Sequence, residues 1–432
     1  MSALLGKPAG IGNTVSGMPP STEIATPWQS RSFRLLLTGQ TVSAFGNALT
    51  PVAIAFAVID LGGSATELGL VIAAYALAQV LVAVVGGIIG DRLPRSVVLR
   101  GGSLVAAVVQ AALAVALLRG WAGLVLIAVL GMITSCMGAL VSPSSQALTP
   151  QTVPPAILAQ AIALRRIAAN TAMVLGFGVA GMLVAGFGSG WAVAVDALSF
   201  AVAAVCFSLI RLPSVREPGR PRTSMLTDLR VGAAEVARHT WLWVLIGHAL
   251  VYHLFYGGAQ GVLGPIVVGE AHGKPAWGWA LAALMLGFIV GGLVTLRWRP
   301  ARPVFVGTLL LTLTAAFPAA LAANAGLALV LVGAFLHGFG LEIFSVNWDL
   351  SIQQSVPADT LARVYSLDLV GSFVARPIGL ALTGPLAEAY GYSRWLWIVT
   401  GVIVGATAIV LLVPSVRRLR RAETPVDASV GA

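Results

Sequence analysis

The sequence predicts an all-α integral membrane protein: twelve transmembrane helices in two pseudo-symmetric six-helix bundles. Three observations predict this class. The 432-residue chain is 58% hydrophobic and 10% charged, where a soluble domain carries about a quarter charged residues. Its mean hydropathy is +0.91, and its apolar residues gather into runs long enough for a bilayer, about 20 residues per helix. The second half also repeats the first at a fixed offset.

The first thirty residues are rich in Gly, Pro, Ser and Thr and lack a cleavable leader pattern, so 1–33 reads as a disordered cytoplasmic tail. The predicted spans are 36–60, 67–90, 97–118, 121–143, 160–186, 190–211, 241–268, 276–296, 303–323, 326–347, 364–388 and 393–414. The polar stretch 212–240 is read as a cytoplasmic linker between bundles 34–211 and 241–414, with 415–432 as a second cytoplasmic tail.

The net charge of +10 is distributed in bursts between apolar runs. With the N-terminus inside, the outer loops hold only Arg119, Lys274 and Arg394. The inner segments hold six arginines from Arg211 to Arg238 and a cluster from Arg417 to Arg421. This is the positive-inside pattern and places both termini in the cytoplasm. Nothing resembles a basic nucleic-acid-binding domain, so no nucleic-acid partner is expected. Cys136 and Cys206 lie in apolar runs and suit packing.

The repeat has an offset of 203. Gln151, Val153, Pro154, Leu158 and Ala159 match Gln354, Val356, Pro357, Leu361 and Ala362. Gly176, Gly181 and Gly188 match Gly379, Gly384 and Gly391. Parallel halves around a midplane site are a transporter architecture.

Several polar residues interrupt the spans. In the first, Gln40 and Asn47 share a face. Between the second and third lies GGIIGDRLPR, where Gly87 and Gly90 permit close approach and Asp91, Arg92 and Arg95 crowd a short loop. In the fifth, GFGVAG at 176–181 has no strand before it and reads as helix packing. Arg165 and Arg166 near that helix's cytoplasmic end read as snorkelling side chains. Asp196 in the sixth is either a proton or substrate site or a polar group near the outer interface.

In the seventh span, His248, Tyr252, Tyr256 and Gln260 recur every four residues, with His253 beside them. Such a ridge either lines an amphiphile cavity or forms part of an interfacial belt. Glu342 lies deep in the tenth, five residues after His337, and is the leading proton-coupling candidate, with a structural ion pair as the alternative. Asp349 and Asp368 flank Arg363 near the cytoplasmic mouth and suit a gate network. Arg376, in mid-span beside Pro377, needs an acid or a cavity, and Glu342 or Asp368 is the expected partner. Pro377 is expected to kink its helix.

The run Gly87-x-x-Gly90-Asp91-Arg92-x-x-Arg95 resembles the loop signature of the major facilitator superfamily. GQTVSAFGNALT and the stretch Asn347 to Gly391 resemble its drug- and enterobactin-exporter-like branch. The resemblance implies a conformational latch at Gly87, Gly90, Asp91, Arg92 and Arg95. It also implies a secondary transporter of the bacterial inner membrane that exports a small amphiphile, a drug, siderophore or secondary metabolite, by proton antiport. The same fold also suits facilitated or coupled uptake of a nutrient, or movement of a lipid. Asn47 stands where the family commonly has an acid. No catalytic, nucleotide-binding or metal-ligand pattern occurs, so no enzyme activity, cofactor or metal is expected. The expected partners are a small-molecule substrate, a proton gradient and membrane lipids, with the chain acting as a monomer.

Overall fold

A computed structural model describes residues 26–90, 94–210, 225–357 and 360–421. Both tails as far as they lie outside these limits, and the 211–224 part of the linker, fall outside the described residues.

Twelve helices are long and apolar enough to cross a membrane. In chain order they are α1 (Arg31–Asp60), α2 (Ala65–Gly90), α3 (Arg95–Leu118), α4 (Leu124–Gln151), α5 (Pro155–Phe187) and α6 (Ser189–Ser208). The second set is α7 (Thr240–His272), α8 (Lys274–Arg297), α9 (Pro303–Ala322), α10 (Leu327–Ser355), α11 (Leu361–Tyr390) and α12 (Tyr392–Leu412). Among the described residues there is no strand.

The ends follow local chemistry. The Ser30 hydroxyl accepts the Phe33 amide and caps α1. Beyond α1, Gly62 takes φ +78, a left-handed conformation glycine adopts without penalty. Prolines occupy the first turns of α5, α8 and α9, where no intrahelical amide bond is lost.

The interruptions are local too. A π turn, Ala259–Leu263, breaks α7, and a 3-10 turn, Thr312–Ala315, breaks α9. The helix α11 is split at Val374 into Leu361–Phe373 and Ala375–Tyr390. Pro377 has no amide to donate back to Phe373, so the break falls where that bond is missing.

The described part of the connection between bundles is largely helical. The stretch read as a polar linker contains an amphipathic helix, Met225–Arg238. Its Gly232 lies against Leu367 and the Arg363 carbonyl on α11, and buried Glu235 pairs with Arg238 and His239. Short apolar teeth at helical spacing were masked in the sequence by the surrounding prolines and arginines.

Helices α1–α6 form one bundle and α7–α12 the other, each packed internally, with α3 and α1 on α6 in the first and α10 on α8 and α9 in the second. The bundles meet along two seams, α5 with α8 and α2 with α11. Apolar side chains such as Leu104, Val108, Val125, Leu198, Ile409 and Leu412 point outward and exposed. In water they would form a continuous aggregation surface; in lipid they are the solvated face.

The two seams are pseudo-symmetric at the level of single residues. A Cβ placed on Gly181 of α5 would stand 2.6 Å from the Lys274 carbonyl oxygen at the start of α8. One on Gly384 of α11 would collide with the Thr66 backbone at the start of α2. The next glycines of the repeat, Gly188 and Gly391, both adopt φ +88 and turn the chain into α6 and α12. The offset of 203 is thus a repeat of structural roles.

Candidate functional site

Three polar regions lie within and between the bundles. The first is in the N-terminal bundle, where α1, α3 and α6 meet. Asp196 is fully buried. Its Oδ2 accepts from the Thr50 hydroxyl at 2.6 Å and the Gln110 amide at 2.6 Å, and its Oδ1 accepts from the Ser199 hydroxyl at 3.2 Å. It is a buried carboxyl held by neutral donors, with no cation in ion-pair contact among the described residues. Gly46 makes room for it, since a Cβ there would approach Asp196 Oδ1 to 2.5 Å and overlap Ser199. Gly46→Ala is therefore expected to destabilise the bundle by about 1–3 kcal/mol, read as a lowered melting temperature in detergent.

Below this cluster, a cavity of about 170 Å³ is lined by Gln40, Ser43, Asn47, Met137, Ser145 and Phe207, among others. Gln40 donates to the Ser145 hydroxyl, and Asn47 donates to Ser43 at 3.2 Å. Two of the cavity residues expected from sequence, Gln40 and Asn47, do line an open space.

The second region is the ridge on α7, which points into the C-terminal bundle. His248 bonds Thr407 of α12 at 3.0 Å, and Tyr252 bonds His337 Nε2 at 3.1 Å. Tyr256 stacks on His337 with ring centroids 4.1 Å apart. His253 bonds the Ala249 carbonyl at 2.8 Å and lies 4.3 Å from the Phe373 ring. His248, Tyr252 and Tyr256 are each about 5% exposed. In this structure His248, Tyr252 and Tyr256 are packed inside their own bundle, while His253 is only partly buried. Gln260 lies in the π turn and is half-buried.

The third region lies between the bundles. Glu342 is half-buried, and its side chain runs across Gly291 and Gly292 of α8. Arg166 on α5 interacts electrostatically with both Glu342 and Asp349, without ion-pair contact. Arg166 itself is exposed near the start of α5. Arg165 instead ties α5 to α4, donating to the Ser145 carbonyl at 3.1 Å and to the Thr149 hydroxyl.

The gate network expected around Arg363 takes a different form. Asp368 is held by neutral donors, Trp348 Nε1 at 3.0 Å and Ser372 at 2.9 Å. Asp349 is exposed and carries the nearby charges of Asp368 and Arg166. Arg376 forms no ion pair with Glu342 or Asp368; its stem lies against Gly257 and its charge acts on Tyr252 and Tyr256. Of the latch residues, Gly87 and Gly90 close α2 and Asp91 and Arg92 fall outside the described residues. Arg95 opens α3 and donates to the Ala147 carbonyl of α4 at 3.2 Å.

The Major Facilitator Superfamily model matches residues 36–272 and 249–430. The chain belongs to the major facilitator superfamily. It is 26% identical over 405 residues to the multidrug efflux pump Tap of Mycolicibacterium fortuitum, covering 90% of this chain and 98% of that one. It is 22% identical over 403 residues to macrolide efflux protein A of Streptococcus pyogenes, covering 90% and 96%. Among solved structures, the nucleoside transporter NupG (D323A mutant) superposes with a TM-score of 0.72 at 13% identity, covering 88% and 99%. A POT family transporter in complex with 5-aminolevulinic acid superposes at 0.70 with 14% identity, covering 88% and 96%. These likenesses establish a multi-pass transporter fold for small molecules, and leave cargo and coupling to the site itself.

In this facilitator-superfamily chain, sequence reading missed the contacts that join the bundles on one face. Lys274 Nζ bonds both Asp60 oxygens, at 2.6 and 2.8 Å. Glu388 accepts from the Thr66 amide at 3.0 Å and its hydroxyl at 2.7 Å, capping α2 from the opposite bundle. These partners lie 214 and 322 residues apart. The repeat offset was the available signal, since Gly181 and Gly384 mark the same two junctions.

Proposed function

We propose that the protein is a secondary active exporter of small amphiphilic compounds in the bacterial inner membrane, driven by proton antiport through alternating access. The carrying observation is the asymmetry between the two faces of the bundle interface. One face is held by the Asp60–Lys274 pair, the Glu388 cap and glycine-mediated backbone contacts. Toward the other, Arg166 of α5 interacts electrostatically with Glu342 and Asp349 of α10 without ion-pair contact. We assign the closed face to the outside and the open one, with both termini, to the cytoplasm, in line with the distribution of arginine.

In this reading Glu342 is the coupling group. Neutralised by a proton, it no longer attracts Arg166; ionised, it does, so its proton occupancy biases which face closes. Asp196 is a second proton-carrying candidate, because a fully buried carboxyl with only neutral donors is costly as an anion. The Asp91 loop with Arg92 and Arg95 is assigned the cytoplasmic latch, and Asp349, Arg363 and Asp368 the cytoplasmic mouth. Cargo enters at the cavity beside Gln40 and Asn47. Export is assigned over uptake because relatives matching nearly the whole chain are named efflux proteins.

Everted membrane vesicles test this directly. Vesicles containing the protein should accumulate an amphiphilic dye on acidification of the lumen, and release it when the gradient is collapsed. Accumulation indifferent to the gradient, or in right-side-out vesicles only, would overturn the proposal.

A further inference from the structure

A mid-membrane arginine is costly unless an anion or a wet cavity meets it. Arg376 is at the midpoint of α11, about 22 Å along the helix from Leu361. Among the described residues it has no ion pair and no hydrogen bond, yet it is only partly exposed. Its stem is fixed against Gly257, where a Cβ would stand 3.3 Å from its Cγ.

The adjoining phenols are not equivalent. His337 Nδ1 bonds the Thr314 carbonyl at 3.0 Å. A carbonyl only accepts, so Nδ1 carries the proton and neutral Nε2 accepts. The Tyr252 hydroxyl therefore spends its proton on His337. Tyr256, stacked on the same imidazole and 5% exposed, has a hydroxyl with no hydrogen-bond partner among the described residues. A buried hydroxyl left unpaired costs about 1–3 kcal/mol. Arg376, whose guanidinium offers five donors in a planar fork, packs on Gly257, the residue next to Tyr256, and its charge acts on the Tyr256 hydroxyl.

We infer that Arg376 and Tyr256 form an anion-recognition site for a carboxylate, or a group of like shape and charge, on the transported compound. The guanidinium takes the two oxygens side by side, and the Tyr256 hydroxyl donates a third bond. Lipid headgroups stay at the membrane surface, far from this depth, which assigns the anion to the cargo. The inference deepens the export reading and rests on it for the word cargo; the binding it describes needs no gradient.

The test uses purified full-length protein in nanodiscs, with paired probes: 1-naphthoate and 1-naphthamide, 4-butylbenzoate and 4-butylbenzamide. Wild type should bind each carboxylate at least about tenfold more tightly than its amide, a difference of about 1.4 kcal/mol. Arg376→Gln should bring the pair within about twofold while leaving amide affinity and melting temperature unchanged, and Arg376→Lys should retain a reduced preference. Tyr256→Phe should weaken carboxylate binding about threefold without affecting the amides.

Equal or undetectable binding of the two probe types by wild type, or a preference surviving Arg376→Gln, overturns the inference. Should Arg376→Gln fail to fold, unchanged carboxylate affinity in Tyr256→Phe overturns it. The preference should be the same in phosphatidylcholine discs with or without phosphatidylglycerol; loss on adding the anionic lipid would reassign the site to headgroups. A carboxylate preference without gradient-driven export defeats the export reading alone, and export without the preference defeats this inference alone.

Discussion

Glu342→Gln is expected to abolish gradient-driven accumulation while leaving binding and downhill flux in place. A single charge moving through 100 mV is worth about 2.3 kcal/mol, which supports up to about 50-fold accumulation for one proton per cargo molecule. The amide is close to isosteric, still packs on Gly291 and Gly292, and cannot exchange a proton. Accumulation in everted vesicles should therefore fall from that range to near unity. Dye equilibration down its own gradient should continue, because the uncharged residue mimics the protonated state. Arg166→Gln removes the partner rather than the proton site, so it should slow the cycle without uncoupling it. Undiminished accumulation by Glu342→Gln would move the coupling role to Asp196.

The double substitution Gly181→Leu/Gly384→Leu is expected to have a comparable effect by a different route. Each Cβ would press on backbone, at Lys274–Pro275 and at Ala65–Thr66, and backbone cannot swing away as a side chain can. Overpacking of this kind costs about 1–3 kcal/mol per site. Because both sites lie on the seam rather than inside a bundle, the cost falls on the state in which this face is closed. Two sites shift the equilibrium toward opening by at least about 30-fold. Export should drop by at least about tenfold, and spin labels at positions 60 and 274 should move apart. The bundles themselves should keep their melting temperature. Unchanged label distances would show that the seam is not what holds the face shut.

The helices were legible because a bilayer imposes a length and an oiliness that few soluble elements share. Predicted and observed ends agree to within a few residues for most spans, and Gly62, Gly188 and Gly391 lie at the turns where the polypeptide must reverse. The pairing of the halves was legible through the offset of 203, since duplicated glycines keep duplicated contacts. Direction was much less legible. Four polar residues at a spacing of four define a ridge on α7, but the ridge itself does not reveal whether it faces a cavity or its own bundle. His337, Thr314 and Thr407, on other helices, decide that. Asp196 was placed by its depth along α6, while its environment comes from Thr50 and Gln110, 146 and 86 residues away. Arg166 was read as a helix-end base because it lies near the cytoplasmic end of α5; its electrostatic interaction with Glu342 and Asp349 of α10 could not be seen from there.

The central claim is that the two halves must part on the Asp60–Lys274 face once in every transport cycle. Cross-linking of Asp60→Cys/Lys274→Cys, in a background with Cys136 and Cys206 replaced by alanine, tests it most directly. The account predicts that oxidation stops export and reduction restores it. Full export by the cross-linked protein would contradict it.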